Sequence, residues 1–379
     1  MRVYTDIKEE SLFGRYINNN DVEKLINKYK SSFKITHIGT SVKKRKIYSF
    51  NIGVGNKRIL VWSQMHGNES TTTKALFDFF NYLMLSNENV DKLLRSYTFC
   101  FIPILNPDGA EYYTRFNANQ VDLNRDAQKL SQPESKVLRK VYDSFKPHFC
   151  FNLHGQRTIF SAGYSNNSSV LSFLSPASDM QRSITSSRKI GMEVISVINK
   201  ELEKELPNQI ARYDDAFNIN CVGDTFQSLG TPTILFEAGH YPGDYKREKT
   251  RYFIFKALKI AFDYIVSTSV KGDYYQAYFK LPENQKLFYD VIIRDVKGCN
   301  ENSLDVAIQY KEELVDGEVN FIPLVEKVGD LTENFAHKEL NANFKKMTVN
   351  GKEISADSLG IINEILLDGE DFVKKVIII

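Results

Sequence analysis

The sequence predicts an α/β fold with helices on both faces of a sheet, followed by a separate C-terminal module. Two observations carry this prediction. Apolar runs typical of strands buried on both faces alternate with segments whose apolar residues have helical spacing. From about residue 270 the alternation gives way to strand-like runs such as "LFYDVIIRDV", joined by short polar turns. We therefore expect two domains, residues 1–268 and residues 269–379, the second of them small and either α+β or β-rich.

The elements of the first domain follow in order. A helix is expected at 21–31, then two strand-like runs, "FKITHIG" and "KIYSFNIG", joined by the basic run "KKRK" as a solvated hairpin turn. Four apolar runs predict buried strands: "KRILVWSQMHG", "SYTFCFIPIL", "PHFCFNLHG" and "TPTILFEAG". Further helices are expected at 70–85, 134–145, 178–206 and 246–266, and one helix at 356–367 in the C-terminal module.

Composition restricts the function classes. The chain has 379 residues, 42% of them hydrophobic, and a formal net charge of +2 from 49 basic and 47 acidic residues. This near-balance argues against nucleic acid or an anionic membrane as the main partner. The start shows no signal-peptide pattern, and the scattered cysteines Cys100, Cys150, Cys221 and Cys299 do not form a disulfide framework. We expect a cytoplasmic protein with reduced cysteines.

Polar residues stand at the C-terminal ends of the four buried strands. His66, Asn106, His154 and Glu237 each close, or directly follow, one of these apolar runs. In an open α/β sheet, ligands bind outside the carboxyl ends of the strands. We therefore expect these four side chains to share one site, although Asn106 in "NPDG" is more typical of a turn former than of a catalytic group.

The residue types at this edge fit a zinc ion. A catalytic zinc takes three protein ligands, often two His and one Glu, and keeps a fourth position open. The pair in "HGNE", His66 and Glu69, is ambiguous alone, but His154 supplies a third ligand from a neighbouring strand. Zinc lowers the pKa of a coordinated water to about 7, and that water needs a proton acceptor that is not itself a ligand. Glu237 is the candidate for this general base, and one zinc ion per chain is expected.

A second cluster has the chemistry of an anion site. The stretch "YTRFNANQVDLNRDAQ" contains Arg115, Asn124 and Arg125. An arginine presents a planar fork that matches a carboxylate, and a guanidinium beside a metal can polarise a carbonyl.

The five strings "HGNE", "NPDG", "RFNANQVDLNRD", "NLHG" and "FEAG", in this order, resemble the zinc metallocarboxypeptidases of peptidase family M14, which are carboxypeptidase A-like. The resemblance covers roughly residues 15–265. It implies a three-layer α/β/α fold with a mixed, mainly parallel eight-stranded sheet of the phosphorylase/hydrolase type. It also implies a zinc metallopeptidase whose substrate carries a free C-terminal carboxylate.

Residue roles carry over by position. His66, Glu69 and His154 match the zinc ligands of that family, and Glu237 matches its general base. Arg115 matches the arginine that polarises the scissile carbonyl. Asn124 and Arg125 match the pair that holds the terminal carboxylate. Tyr213 is the nearest candidate for the mobile tyrosine found in many relatives, and it stands earlier than the family spacing.

Three hypotheses follow for the function. The first is a zinc carboxypeptidase. The second keeps the site and changes the substrate. The strings "HGNE" and "DLNR" also resemble zinc N-acyl amino acid deacylases of the succinylglutamate desuccinylase and aspartoacylase type. Within the peptidase branch, some bacterial relatives cut the γ-D-glutamyl-diaminopimelate bond of cell-wall peptides. The third is a non-catalytic protein, which would lack a ligand or the base. The preferred side chain and the role of the C-terminal module stay open.

Overall fold

The computed structural model describes residues 4–298 and 301–376. They divide into two compact units. Unit 1 comprises Met1–Gln156 and Ser169–Asn284, and unit 2 comprises Arg157–Ser168 and Gln285–Ile379. The sequence placed one boundary at 268/269, and nothing in the composition of 157–168 marked that segment as part of the second unit.

The strands up to the end of unit 1 are numbered in chain order: β1 (Lys34–Thr40), β2 (Lys46–Ile52), β3 (Lys57–Ser63), β4 (Tyr97–Ile102), β5 (Phe149–Gly155), β6 (Phe160–Ala162), β7 (Leu171–Leu174), β8 (Ile210–Arg212) and β9 (Thr233–Ala238). All but β6 form a sheet of eight strands within the described residues, in the order β1-β2-β4-β3-β5-β9-β7-β8. The neighbouring strands β4, β3, β5 and β9 run parallel to one another. Strand β2 runs antiparallel to β4, and strand β7 runs antiparallel to β9.

The helices of unit 1 are α1 (Asn19–Tyr29), α2 (Thr71–Leu83), α3 (Glu88–Ser96), α4 (Pro107–Glu111), α5 (Pro133–Phe145), α6 (Ser186–Leu202), α7 (Val222–Ser228) and α8 (Glu248–Ser267). The helix expected at 178–206 is therefore shorter than predicted. It begins after Thr185, whose side chain accepts a hydrogen bond from the Arg188 backbone N–H and caps the first turn. Among the described residues, no helix combines the length and apolar character needed to cross a bilayer.

Two hydrophobic clusters show that helices cover both faces of the sheet. Alternate residues of β3 enter different clusters, because successive side chains of a strand point to opposite faces. Ile59 and Val61 pack with residues of α2 and α8, whereas Leu60 and Trp62 pack with residues of α5 and α7. The predicted three-layer α/β/α architecture is confirmed, and so is the mixed, mainly parallel eight-stranded sheet.

The basic run "KKRK" lies at the turn between β1 and β2, as predicted. Its third residue, Arg45, donates to the fully buried carboxylate of Asp108 over 2.7 Å. Asp108 also accepts from the Ser41 hydroxyl and from the Lys43 backbone N–H, both at 2.9 Å. Asp108 therefore secures the hairpin turn, and Asn106 caps α4 by accepting from the Gly109 N–H at 2.8 Å.

Unit 2 is rich in β-structure, as expected. Besides β6, which pairs with β10, its strands are β10 (Asn284–Lys286, which begins at the last residue of unit 1), β11 (Phe288–Lys297), β12 (Ser303–Val315), β13 (Glu318–Gly329), β14 (Phe335–Asn341), β15 (Met347–Val349), β16 (Lys352–Glu353), β17 (Gly360–Ile361), β18 (Ile365–Leu367) and β19 (Glu370–Asp371). A short helix, α9, spans Val373–Val376. One sheet has the order β14-β11-β12-β13-β17 and a second the order β16-β15-β18-β19.

The helix predicted at 356–367 is wrong, because β17 and β18 occupy that stretch. Gly360 has a φ of +123°, a backbone conformation that a helix cannot contain. The Asn350 side chain accepts from the backbone N–H groups of Asn363 and Glu364 at 2.8 and 3.0 Å, which holds a turn there.

The inserted segment 157–168 is an integral part of unit 2. Thr158 accepts a hydrogen bond from Gln309 at 2.7 Å through its hydroxyl, and its carbonyl lies 2.8 Å from the His337 ring. The Phe288 backbone N–H donates to the Ile159 carbonyl at 3.1 Å.

Cysteines Cys100 and Cys150 of unit 1 are buried and free, Cys221 is free, and Cys299 lies outside the described residues.

Candidate metal centre

Three side chains converge at the C-terminal edge of the sheet. His66 follows β3, Glu69 precedes α2, and His154 belongs to β5. Their candidate ligand atoms all lie within 4.8 Å of one another. The His66 Nδ1 atom lies 2.8 Å from a Glu69 carboxylate oxygen, and the His154 Nδ1 atom lies 3.0 Å from the other. The sequence-predicted ligands are therefore brought together by the fold.

The turn that carries His66 requires a glycine at Gly67. A Cβ atom at this position would lie 1.9 Å from the carbonyl carbon of Gly109. The backbone of the β3–α2 turn thus approaches the start of α4 more closely than any side chain allows. Gly67 serves this close approach, which fixes the spacing between His66 and Glu69.

The donor atoms fit a zinc ion. The two Nδ1 atoms of His66 and His154 are 3.2 Å apart. Two ligands at the usual zinc distance and a tetrahedral angle would be about 3.3 Å apart. The His66 Nε2 atom lies 3.1 Å from Asp122, and a proton donated in that bond leaves Nδ1 with a free lone pair. Two imidazoles and a carboxylate are also a ligand set that zinc prefers.

The protonation states of His154 and Glu69 also suit a metal. Burial lowers the pKa of His154, which favours the neutral ring that a metal ligand needs. Burial alone would raise the pKa of Glu69, but the charge of His66 and hydrogen bonds from both histidines hold it well below its usual range. Burial would likewise lower the pKa of His66, yet the neighbouring Glu69 and the hydrogen bonds to Asp122 and Glu69 raise it.

Glu237 lies directly opposite His154 across the β5–β9 strand pair. One oxygen of its carboxylate is enclosed and has no hydrogen-bond partner among the described residues. Burial, and then the negative charge of Glu69, raise the pKa of Glu237 well above its usual range. A carboxyl group with a raised pKa beside such a cluster suits proton transfer, and a cation bound by the cluster would lower that pKa again.

Arg115 reaches the same cluster. One of its terminal nitrogens lies 3.2 Å from His66 Nδ1 and 3.5 Å from a Glu69 oxygen. Its guanidinium also donates to Asp122 from two nitrogens, at 2.9 and 3.1 Å. The guanidinium is partly exposed, so it can meet a ligand and the cluster at once.

Asp122 is a site residue that sequence reasoning did not single out. Its carboxylate joins His66 to Arg115 and accepts from the Asn124 N–H at 2.8 Å. Although burial opposes it, the hydrogen bond and charge of His66, and then Arg115, hold the pKa of Asp122 well below its usual range. The sequence did offer a signal for this residue, because Asp122 stands two residues before the candidate Asn124 in the quoted string "DLNR".

Asn124 and Arg125 lie in a short 3-10 helix, Leu123–Arg125, beside this cluster. The Asn124 side-chain oxygen accepts from the Val222 N–H at 3.0 Å. Arg125 is exposed, and it donates to the Asn124 carbonyl at 2.8 Å and to the Cys221 sulfur at 3.1 Å. Among the described residues it forms no ion pair, so its charge is available to an incoming anion.

Tyr213 follows β8 and is held by its backbone N–H, which donates to the Phe173 carbonyl at 2.9 Å. Burial raises the pKa of its phenol, and the charges of Glu237 and Glu69 raise it further. The charges of both carboxylates therefore act on the phenol of Tyr213. Asp224, on α7, has a pKa raised to about 6 by burial.

An α/β sheet with helices on both faces thus carries, at its C-terminal edge, a cluster of two histidines and one glutamate that has the composition of a metal centre. Residues 19–127 match the family model described as zinc carboxypeptidase, Peptidase M14. Carboxypeptidase 2 of Trichophyton rubrum is 29% identical over 101 residues, which cover 26% of this chain and 19% of that protein. Carboxypeptidase D of Anas platyrhynchos is 25% identical over 179 residues, which cover 40% of this chain and 13% of that protein.

Solved structures agree on the fold. Carboxypeptidase A from Helicoverpa armigera has a TM-score of 0.52 and 13% identity, and the match covers 67% of this chain and 74% of that one. A metallo-carboxypeptidase from Pseudomonas aeruginosa, in complex with (2-guanidinoethylmercapto)succinic acid, has a TM-score of 0.50 and 14% identity, over 64% of this chain and 68% of that one. The family model and the curated relatives confirm the resemblance to the zinc carboxypeptidases of family M14. The chain spans about a fifth or less of the length of the curated relatives reported above.

Proposed function

We propose that this protein is a zinc-dependent metallocarboxypeptidase that hydrolyses the amide bond next to a free C-terminal carboxylate. The convergence of His66, Glu69 and His154 beside Glu237 carries the proposal. The family match supports a peptidase over the deacylase alternative, and the cell-wall peptide alternative has no observation of its own in its favour.

The residues divide the work as follows. Arg125 and Asn124 bind the terminal carboxylate of the substrate, because Arg125 offers an exposed fork of N–H donors. Arg115 donates to the carbonyl oxygen of the scissile bond, where negative charge develops. Glu237 takes a proton from the attacking water and delivers it to the leaving amine.

His66, Glu69 and His154 would hold the zinc ion. When bound there, zinc supplies Lewis acidity that polarises a carbonyl and activates water. Asp122 holds the His66 ring with Nδ1 turned toward the cluster, and the Gly155 backbone N–H holds Glu69 from the other side at 2.9 Å. Tyr213 contacts the substrate in this proposal, which is supported by the effect of the Glu237 charge on the pKa of its phenol.

The test is a substrate panel assayed with and without a chelator. It contains peptides ending in aromatic, basic and acidic residues, a γ-D-glutamyl-diaminopimelate peptide, and N-acyl amino acids. We expect chelator-sensitive release of a C-terminal residue, and release that resists chelation would contradict the proposal. Cleavage of N-acyl amino acids alone would move the protein to the deacylase class.

The general base has its own test. Glu237→Gln should lower turnover by at least about 100-fold, the lower end of general-base effects, while zinc stays bound. Glu193→Gln is the matched control, since Glu193 is also buried but accepts a hydrogen bond from Tyr264 on α8. Wild-type turnover in Glu237→Gln would show that the base is misassigned.

A further inference from the structure

A buried arginine lies behind the candidate metal centre. Arg247 directly precedes α8, and its side chain is almost fully buried. Its guanidinium donates to the backbone carbonyls of Ala238, at 2.8 Å, and of Gly239, both at the end of β9. Its other terminal nitrogen donates to the Gln156 carbonyl at 3.0 Å, just past the end of β5. One side chain thus joins the ends of the two strands that carry His154 and Glu237.

The position of Arg247 in the chain is itself constrained. Its backbone has a φ of +60°, in the left-handed region that residues other than glycine, asparagine and aspartate seldom adopt. Asp244 holds this turn, because its side chain accepts from three backbone N–H groups at the start of α8, at 2.8 to 3.0 Å. A strained backbone that persists is usually over-determined by its surroundings, and such positions cluster at functional sites.

The ends of β5 and β9 are closely packed and paired at the point where Arg247 binds them. A Cβ atom on Gly239 would lie 2.0 Å from the Ser169 carbonyl oxygen, so the backbone there already approaches its neighbour closely. The Gln156 backbone N–H donates to the Ala238 carbonyl at 3.0 Å, which continues the β5–β9 pairing one residue beyond Gly155. The carbonyls of Ala238, Gly239 and Gln156 all accept from the guanidinium, whose rigid fork of N–H donors can bind several acceptors at once.

We propose that Arg247 is a positioning residue that sets the separation of His154 and Glu237 by clamping the ends of β5 and β9. This inference rests on the proposed function, because it assigns a purpose to the spacing between a metal ligand and the general base. A displacement of either strand end would change the position of the ligand relative to the proton acceptor. Residues that orient metal ligands from behind typically alter metal affinity or activity by about 10- to 100-fold when replaced.

The test compares two buried arginines one turn apart. Arg251, on α8, is fully buried and binds Asp78 and the Leu12 carbonyl, away from β5 and β9. Arg247→Lys and Arg251→Lys both keep a positive charge and lose the planar fork. Zinc affinity of the full-length variants is measured by competition with a chromophoric chelator, together with kcat, KM and thermal unfolding.

We expect Arg247→Lys to weaken zinc binding by about 10- to 100-fold and to lower kcat with little change in KM, because Arg125 is untouched. Arg251→Lys should unfold at a lower temperature and keep both zinc affinity and kcat within about threefold of the wild type, because its contacts do not reach β5 or β9. Folded Arg247→Lys with wild-type zinc affinity and kcat would overturn the inference, as would an equal loss in Arg251→Lys.

A second variant covers the case in which Arg247→Lys does not fold. Arg247→Gly removes the guanidinium but suits the left-handed backbone, and the same loss of zinc affinity is expected. Wild-type zinc affinity in that variant would refute the role of Arg247. Zinc affinity is measured without any substrate, so this test does not depend on peptidase activity. If the wild-type protein binds zinc but cleaves no member of the panel, the proposed function is refuted, while the comparison of zinc affinity between the Arg247 and Arg251 variants stays valid.

Discussion

Asp122→Asn removes the negative charge behind the metal centre and changes little in shape. The carboxylate accepts four hydrogen bonds, from His66, from the Asn124 N–H and from two nitrogens of Arg115. Asparagine keeps one acceptor oxygen, which can stay with His66 and Asn124. Its NH₂ group then faces the N–H donors of Arg115, so the ion pair is lost.

The size of the effect follows from the bonds that are lost. A hydrogen bond to a charged group contributes about 1.5–3 kcal/mol, which corresponds to roughly 10- to 150-fold in an equilibrium constant. The bond from His66 also becomes weaker, because its acceptor is now neutral. We expect the zinc affinity of Asp122→Asn to fall by about 10- to 100-fold, the range found when a partner of a metal-bound histidine is replaced.

The assay is zinc binding measured by chelator competition, with kcat/KM on the best peptide of the panel alongside. Asp126→Asn is the matched control, because this buried carboxylate of the same segment accepts from Ser131 and Gln132 and does not contact the cluster. Zinc affinity of Asp122→Asn within twofold of the wild type would refute the reasoning. So would an equal loss in Asp126→Asn.

Two further predictions concern charge at the site. In zinc-free protein at pH 8, Glu237→Gln should unfold at a higher temperature than the wild type. Because the pKa of Glu237 is raised in the folded state, its contribution to stability is present at low pH and lost as the pH rises. The increase in unfolding temperature should therefore shrink on acidification, and an increase that does not depend on pH would contradict this prediction. Arg125→Ala should lower kcat/KM by about 10- to 100-fold for a peptide with a free C-terminal carboxylate. The loss should be far smaller for the same peptide amidated at its C-terminus, because only the free carboxylate is a charged partner for Arg125. Equal losses on both peptides would contradict the role of Arg125 in binding the carboxylate.

The convergence of His66, Glu69 and His154 could be predicted because a parallel sheet brings the C-terminal ends of its strands to one edge. The apolar runs that end in His66 and His154 are long and continuous, so their strand assignment was unambiguous. Asp122 lies in a loop without periodicity, and its contact with His66 spans 56 positions of the chain. Only the fold brings that pair together, which is why Asp122 was missed.

Local signals failed where tertiary contacts decided the structure. The apolar spacing of 356–367 favoured a helix, but Asn350 binds the backbone there and Gly360 interrupts it. Strand β7 is four residues long and its residues are nearly all buried, so its pattern is too short to distinguish from the start of a helix. The assignment of 157–168 to unit 2 rests on hydrogen bonds such as Thr158 to Gln309, which no local pattern reports.

The interleaving of the two units has a consequence for synthesis and engineering. Unit 2 is assembled from Arg157–Ser168 and from Gln285 onward, so a ribosome must make all of Ser169–Asn284 before the early piece meets its partners. Until then that early piece, which begins only three residues after His154, lacks its partners from Gln285 onward. A shortened gene that stops near residue 284 would leave Thr158 and Ile159 without those hydrogen bonds, so we expect such a product to be prone to proteolysis at this point.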